Sequence, residues 1–399
     1  MKILQLCYRV PFPPKDGGTL AMHSIWEGLT GQGHTVKILA LNTSKHYVRR
    51  EELPESYLLQ SALKTTDINT DLSFAAFLSS FFRMGSYNVD RFYSEEFSDL
   101  ILKTLSQESF DIIQMESIFL GPYVKKIRSH FSGKIILRAH NVEHKIWQQK
   151  AKNEKSLLKT LALTFLRKRL RTKELEYLKN FDAIIAITEE DKLQFQKEGY
   201  KRNVFVHPFT LDPQEYSPAP ASQNASLFFI GSLDWAPNTE GLNWFISKVW
   251  PLLKASCPDL VFNIAGRNAA SFREKTKDDK IKILGEVPSA KDFMRNNGIF
   301  IVPLLSGGGM RVKIIEGMAL EKAIVCTPLG AEGISYKADE HLFIRSTPEG
   351  FAEGIITLLH QTEKVKKLGQ NARMLVEENY NTKKALPALV GFYEKLKTN

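Results

Sequence analysis

A chain of 399 residues is longer than one hydrophobic core usually serves, so two domains are expected. With 43% hydrophobic and 25% charged residues it sits among ordinary globular proteins, which sets disorder aside, and no run approaches the roughly 20 apolar residues of a spanning helix. The formal net charge of +10 favours phosphorylated substrates, an anionic membrane face or polyanions, but no zinc-finger, RNA-recognition or basic-zipper spacing accompanies it, so nucleic acid is not an expected partner.

The first forty residues read as a strand (Lys2 to Tyr8), a Pro- and Gly-rich loop, a helix (about Thr19 to Gln32) and a strand (Thr35 to Leu41). The opening apolar run is too short for an export signal, and Cys7, Cys257 and Cys326 are isolated, so the chain is expected in the cytoplasm with free thiols. Further strands are expected at Phe110 to Met115, Lys134 to Ala139, Ala183 to Thr188 and Val204 to His207, with helices between several of them. Such alternation implies a largely parallel sheet. Leu72 to Met84 is apolar enough to line an acceptor groove or to fill the core. Lys150 to Lys179 reads as one long helical stretch dense in Lys and Arg. It suits an anionic membrane, or equally an amphipathic helix packed on its own domain with a solvated basic face.

Asp212 to Asn224 holds Pro213, Pro218 and Pro220 and reads as a linker. Beyond it the alternation restarts with strands at Leu227 to Ile230, Val261 to Ala265, Ile281 to Leu284, Ile299 to Val302 and Ala323 to Cys326, and a helix from about Thr239 to Lys254. Phe351 to Leu396 is helical by periodicity, with an interruption or kink expected at Pro387. The expected division is 1–210, 211–375 and a helical segment, 376–399, that can return to the N-terminal domain.

Chemistry concentrates in three places. Gly17 and Gly18 precede a helix amino terminus, where free N–H groups favour an anion; the loop is not G-x-G-x-x-G, which disfavours a dinucleotide. The run Ser306 to Lys322 (SGGGMRVKIIEGMALEK) places Gly307, Gly308 and Gly309 before a helix bearing Arg311, Lys313 and Glu316. Backbone donors and two cations at a helix start suit a diphosphate, and the carboxylate suits ribose hydroxyls. His140 ends a strand, where it either contacts substrate or caps the strand end; Glu116, ending another, either reaches the ligand cleft or is a helix-capping or solvated carboxylate. HNVEH at 140–144 also spells a zinc-peptidase motif, but a histidine leaving a strand does not share a helix face with His144, and no D-x-D pair occurs. No metal or cofactor is expected.

The segment GGGMRVKIIEGMALEKAIVCTPLGAEGI resembles the donor-binding region of retaining glycosyltransferases of family 4. The resemblance extends over most of the chain through Gly17 and Gly18, FIGSLDWAPNTEGLNWF and the terminal helices. It implies an α/β GT-B fold, two Rossmann-like domains facing across a cleft. It further implies transfer of a sugar, with retention, from a nucleoside diphosphate sugar to a glycan or lipid-linked hydroxyl. Glu316 matches the second glutamate of the family's E-x7-E motif, which holds the donor ribose, and a functional histidine often stands where His140 does. The first glutamate is replaced by Gly308, and Ser232 and Glu240 stand near the places of the family's usual Arg and Lys. Arg311 and Lys313, with Arg267 as a third candidate, can supply that charge. A sugar-nucleotide epimerase and a non-catalytic sugar-nucleotide or glycan-binding protein are the alternatives.

Overall fold

The computed structural model describes residues 1–71, 86–154, 156–219, 226–269, 272 and 278–398, so the Leu72 to Met84 run lies outside the described residues. The chain divides into two units, Met1–Thr210 with Ala385–Asn399, and Leu211–Lys384.

In the first unit β1 (Lys2–Cys7), β2 (Thr35–Thr43), β3 (Lys64–Ile68), β4 (Ile112–Glu116), β5 (Lys134–Ala139), β6 (Ala183–Ala186) and β7 (Asn203–Val206) form one sheet. Its order is β3-β2-β1-β4-β5-β6-β7, and every pairing is parallel. The inner strands are near-continuous apolar runs because helices cover both faces of such a sheet. β3 went unread in the sequence because KTTDI is a polar edge strand. The first helix, Gly17–Gly31, starts where Asp16 caps it: the Asp16 carboxylate accepts from the N–H groups of Gly18 and Thr19, and the Thr19 hydroxyl takes the Asp16 N–H.

The second unit repeats the design with β8 (Ser226–Ile230), β9 (Val261–Ala265), β10 (Ile281–Gly285), β11 (Ile299–Val302), β12 (Ile324–Cys326) and β13 (Phe343–Ile344), in the order β10-β9-β8-β11-β12-β13. Both sheets follow the doubly wound order, which reverses between β1 and β4 in one and between β8 and β11 in the other. Ligands of such sheets bind beyond the strand carboxyl ends at that reversal.

Several expectations are revised. The helix expected over Thr239 to Lys254 is Ala236–Trp244, a wider π turn at Phe245–Val249, and Trp250–Ser256. Pro251 has no N–H for the regular ladder and its ring crowds the preceding turn, which the widened turn accommodates. The basic stretch is two helices, Glu143–Asn153 and Leu157–Leu178. The terminal segment is three helices: Pro348–His360, Thr362–Asn379 and Thr382–Thr398. Pro387 lies inside the last, close enough to its start that only the Lys383 carbonyl loses a helical partner. The second unit runs on to Lys384 rather than ending at 375, because the 362–379 helix buries Leu368, Ala372, Leu375 and Val376 and its Arg373 binds the Ala319 carbonyl. The described part of the proline-rich linker is also built into this unit. Arg373 donates to the carbonyls of Tyr216 at 2.6 Å and Pro213 at 3.1 Å, and Lys383 pairs with Asp212 at 2.9 Å.

Candidate active site

In the second unit the glycine loop follows β11, so it lies at the reversal beside the loop that follows β8. The backbones there approach closely. A Cβ on Gly241 would stand 2.2 Å from the Pro303 carbonyl oxygen, and one on Gly266 would stand 1.7 Å from that of Gly231. Gly307 and Gly309 hold φ values of +99° and +87°, which glycine adopts without penalty. Gly307 faces the Trp235 indole and the Arg311 guanidinium, and a side chain there would meet both at 3.1–3.2 Å.

Arg311 lies over the Trp235 ring at 5.1 Å and donates from Nη1 to the Gly308 carbonyl at 2.6 Å. Its Nε and Nη2 are buried and have no hydrogen-bond partner. Burial pulls its pKa down to about 10, against the charge of Glu332. A buried donor without an acceptor costs of order 1–3 kcal/mol, more when charged, and an anion could supply the acceptors that these two nitrogens lack. The glycine loop, Trp235 and Arg311 are therefore brought together.

One helical turn on, in Val312–Ala319, Lys313 and Glu316 pair with each other, Nζ to Oε2, at 3.6 Å. Glu316 is 6% exposed; its Oε1 accepts from the Tyr216 hydroxyl at 3.1 Å, and its Oε2 has no hydrogen-bond partner. Tyr216, inside the supposed linker, is a site residue that sequence reasoning missed. Arg267 follows β9, and its carbonyl takes the Leu233 N–H at 2.9 Å, fastening the loops after β8 and β9; its side chain joins neither Arg311 nor Glu316 in any hydrogen bond or ion pair. Ser232 bonds Asp234, and Glu240 accepts from the Ser306 hydroxyl.

In the first unit Gly17 and Gly18 open the first helix, but the N–H of Gly18 is taken by Asp16. Gly18 leaves room for its neighbours: a Cβ there would stand 2.4 Å from Arg9 Nη2 and 2.9 Å from the Tyr8 hydroxyl. Arg9 grips Asp16 through two nitrogens, so the positive charge at this helix start is already matched.

His140, just beyond β5, is bound through Nε2 to Glu116 Oε2 at 2.8 Å. Glu116 ends β4 fully buried and reaches no surface, so the cleft-facing, helix-capping and solvated readings all fail: it is an internal anchor. Arg138, its register partner on β5, places Nη1 at 3.1 Å from the same oxygen and from the Ala21 carbonyl, while Gln5 and Gln114 donate to Oε1. Burial would raise the Glu116 carboxyl, but the charge of Arg138 and the bonds from His140 and Gln5 hold it at about 2. An ionised carboxylate only accepts, so His140 carries its proton on Nε2 and presents Nδ1 as an acceptor. Burial, aided by Arg138 and opposed by Glu116, lowers the His140 pKa, which keeps the ring neutral near pH 7. Tyr8, at the end of β1, stands edge-on to the His140 ring at 6.1 Å and to Phe119 at 5.8 Å. Sequence reasoning missed Arg138 and Tyr8 because a strand residue's direction is set by register.

The HNVEH run does not gather its histidines. His140 pairs with Glu116, whereas His144, in the Glu143–Asn153 helix, holds Glu174 through Nδ1 at 2.7 Å and Glu198 through Nε2 at 3.2 Å. Among the described residues no three His, Cys, Asp or Glu side chains converge as metal ligands, and no helix is long and apolar enough to cross a membrane.

This fold is shared with solved GT-B glycosyltransferases. A sucrose-phosphate synthase from Thermosynechococcus elongatus superposes with a TM-score of 0.73 at 12% identity, covering 99% of both chains. HepE from Anabaena, solved in complex with UDP, superposes with a TM-score of 0.68 at 12% identity, covering 99% of this chain and 100% of that one. Residues 224–361, which contain the glycine loop, Arg311 and Glu316, match the family described as glycosyl transferases group 1. An uncharacterized 44.6 kDa protein in the cps region of Klebsiella pneumoniae is 24% identical over 97% of this chain and 98% of its own length. The protein is an α/β glycosyltransferase of GT-B fold that uses a nucleotide sugar, and the residues that match the group 1 model lie in the second unit.

Proposed function

We propose that the second unit holds a nucleoside diphosphate sugar with its diphosphate against Gly307, Gly308, Gly309 and Arg311. The sugar passes, with retention of anomeric configuration, to a hydroxyl on a glycan or lipid-linked acceptor in polysaccharide assembly at the cytoplasmic face of an anionic membrane. The supporting observation is the Arg311 guanidinium, buried with Nε and Nη2 unpartnered beside a glycine loop at the sheet's reversal. A diphosphate supplies the acceptors those nitrogens lack, and the fixed charge neutralises the leaving group as the glycosidic bond breaks. Lys313 adds positive charge two residues on, and Glu316 Oε2 accepts from ribose hydroxyls.

Gly308 leaves the donor-sugar contacts to backbone N–H groups. His140 Nδ1 accepts from a hydroxyl of donor sugar or acceptor as the transition state forms. Gly18 keeps the Arg9 loop close-packed, and Arg267 lends long-range charge. Turnover needs no added metal or cofactor. UDP in the HepE structure and the cps location of the Klebsiella relative support the donor class and polysaccharide context. The test is calorimetric titration with UDP and other nucleoside diphosphates, followed by product analysis with nucleotide sugars and acceptors. A protein that binds no nucleoside diphosphate sinks the proposal, and an inverted product sinks the stereochemical part.

A further inference from the structure

The Leu157–Leu178 helix carries two apolar faces in succession. In its second half Leu170, Tyr177 and Leu178 are buried on the first unit, with Tyr177 so close over Gly121 that a Cβ there would stand 2.5 Å from the ring. In its first half four apolar side chains point the other way: Leu157 is 74% exposed, Leu158 80%, Leu161 61% and Phe165 40%, while Leu163 and Leu166 turn inward and are half-buried. At about 100° per residue these four fall within an arc of roughly 100°, on the side opposite Leu170, Glu174 and Tyr177. The expected amphipathic helix with a solvated basic face is thus only half right, since here the outward face is apolar as well as basic.

Lys168 continues that face, Arg169 at its edge lies over the Phe165 ring at 5.4 Å, and Lys150 and Lys152 are exposed on the preceding helix. From Lys145 to Lys173 the sequence has ten Lys and Arg and a single acidic residue, Glu154. A second copy of the chain is a poor occupant, because pairing this face with itself would oppose like charges.

We propose that this face docks on an anionic lipid membrane, the three leucines and Phe165 entering the boundary between headgroups and acyl chains and the surrounding cations meeting lipid phosphates. The inference rests on the functional reading only for its purpose, bringing the enzyme to a lipid-linked acceptor; docking needs neither donor nor acceptor.

The experiment is co-sedimentation of the full chain with vesicles of phosphatidylglycerol and phosphatidylcholine in equal parts, against phosphatidylcholine alone, with UDP titration and light scattering on the same samples. The wild type is expected to bind the mixed vesicles about tenfold or more tightly than neutral ones, less so in high salt. Leu157→Ser/Leu158→Ser/Leu161→Ser is expected to lose about tenfold in vesicle affinity, and Lys168→Gln/Arg169→Gln to lose much of the salt-dependent part, with UDP affinity and mass unchanged in both. A wild type that ignores mixed vesicles, a leucine variant that binds them as the wild type does, or a leucine variant that dissociates a dimer while keeping vesicle affinity would overturn the proposal. Vesicle binding without UDP binding would uphold this surface and remove the functional reading instead.

Discussion

Glu116 and Arg138 face one another on adjacent parallel strands, Oε2 to Nη1 at 3.1 Å with both side chains buried, and His140 shares the same oxygen at 2.8 Å. The pair thus fixes the tautomer and direction of the histidine while remaining inside the sheet. His140→Ala is expected to lower kcat by about 100-fold with donor affinity nearly unchanged, as for a group acting in the transition state. Steady-state kinetics beside calorimetric donor titration checks this, and an unaltered kcat in folded protein makes the histidine structural.

Removing Glu116 is a different matter. Glu116→Ala leaves Arg138 charged and unpaired in the interior, so the first unit should lose about 3–5 kcal/mol. Chemical denaturation reads this as a lower midpoint; a shift below about 1 kcal/mol would mean that water reaches Arg138.

Arg311→Ala should weaken nucleoside diphosphate binding by about 1.5–3 kcal/mol, the range for hydrogen bonds to a charged group. Because the variant also removes a buried, partly unsatisfied cation, its stability should hold or rise. Glu316→Ala should weaken whole-nucleotide binding while leaving pyrophosphate binding unchanged, which separates the ribose contact from the diphosphate contact.

Stability should depend on pH through Glu143 and His207. Burial, with the nearby charge of Glu174, pushes the Glu143 carboxyl up to about 8. Between its ordinary value and about 8 the folded state holds a proton that the unfolded chain has released, so this contribution is complete at low pH and is lost as pH rises through about 8. Burial, then Arg138, drives His207 down to about 3, so its contribution is present above its ordinary value of 6.5 and is lost as pH falls towards 3. Between 4.5 and 6.5 the two changes oppose one another, so denaturation midpoints should fall below pH 4.5 and again from pH 6.5 to about 8. Glu143→Gln should remove the fall between pH 6.5 and 8 and leave a rise from pH 3 to 6.5 set by His207.

Chelation should leave turnover nearly intact, since Arg311 and the helix start are assigned the diphosphate charge. Activity assayed with a chelator, with and without added magnesium or manganese, checks it; strict metal dependence would reassign that charge.

Much of this protein was written locally. Strand alternation, the restart after the proline-rich stretch, and the glycine loop running into Arg311, Lys313 and Glu316 are readable because apolar periodicity and glycine placement act over a few residues. The loop's position at the reversal of strand order, beside Trp235, was not readable, because it depends on which strands pair. Register likewise set Glu116 opposite Arg138, and a slip of one residue would have turned one of them to the other face. Gln114 accepts from the Tyr393 hydroxyl far along the chain, so the place of the last helix was a tertiary matter. So was Tyr216, which looked like linker until Glu316 and Arg373 gave it partners. Composition marked the basic helix, but only packing decided which of its leucines remained outside, since a helix with apolar residues on both sides buries whichever face its neighbours cover.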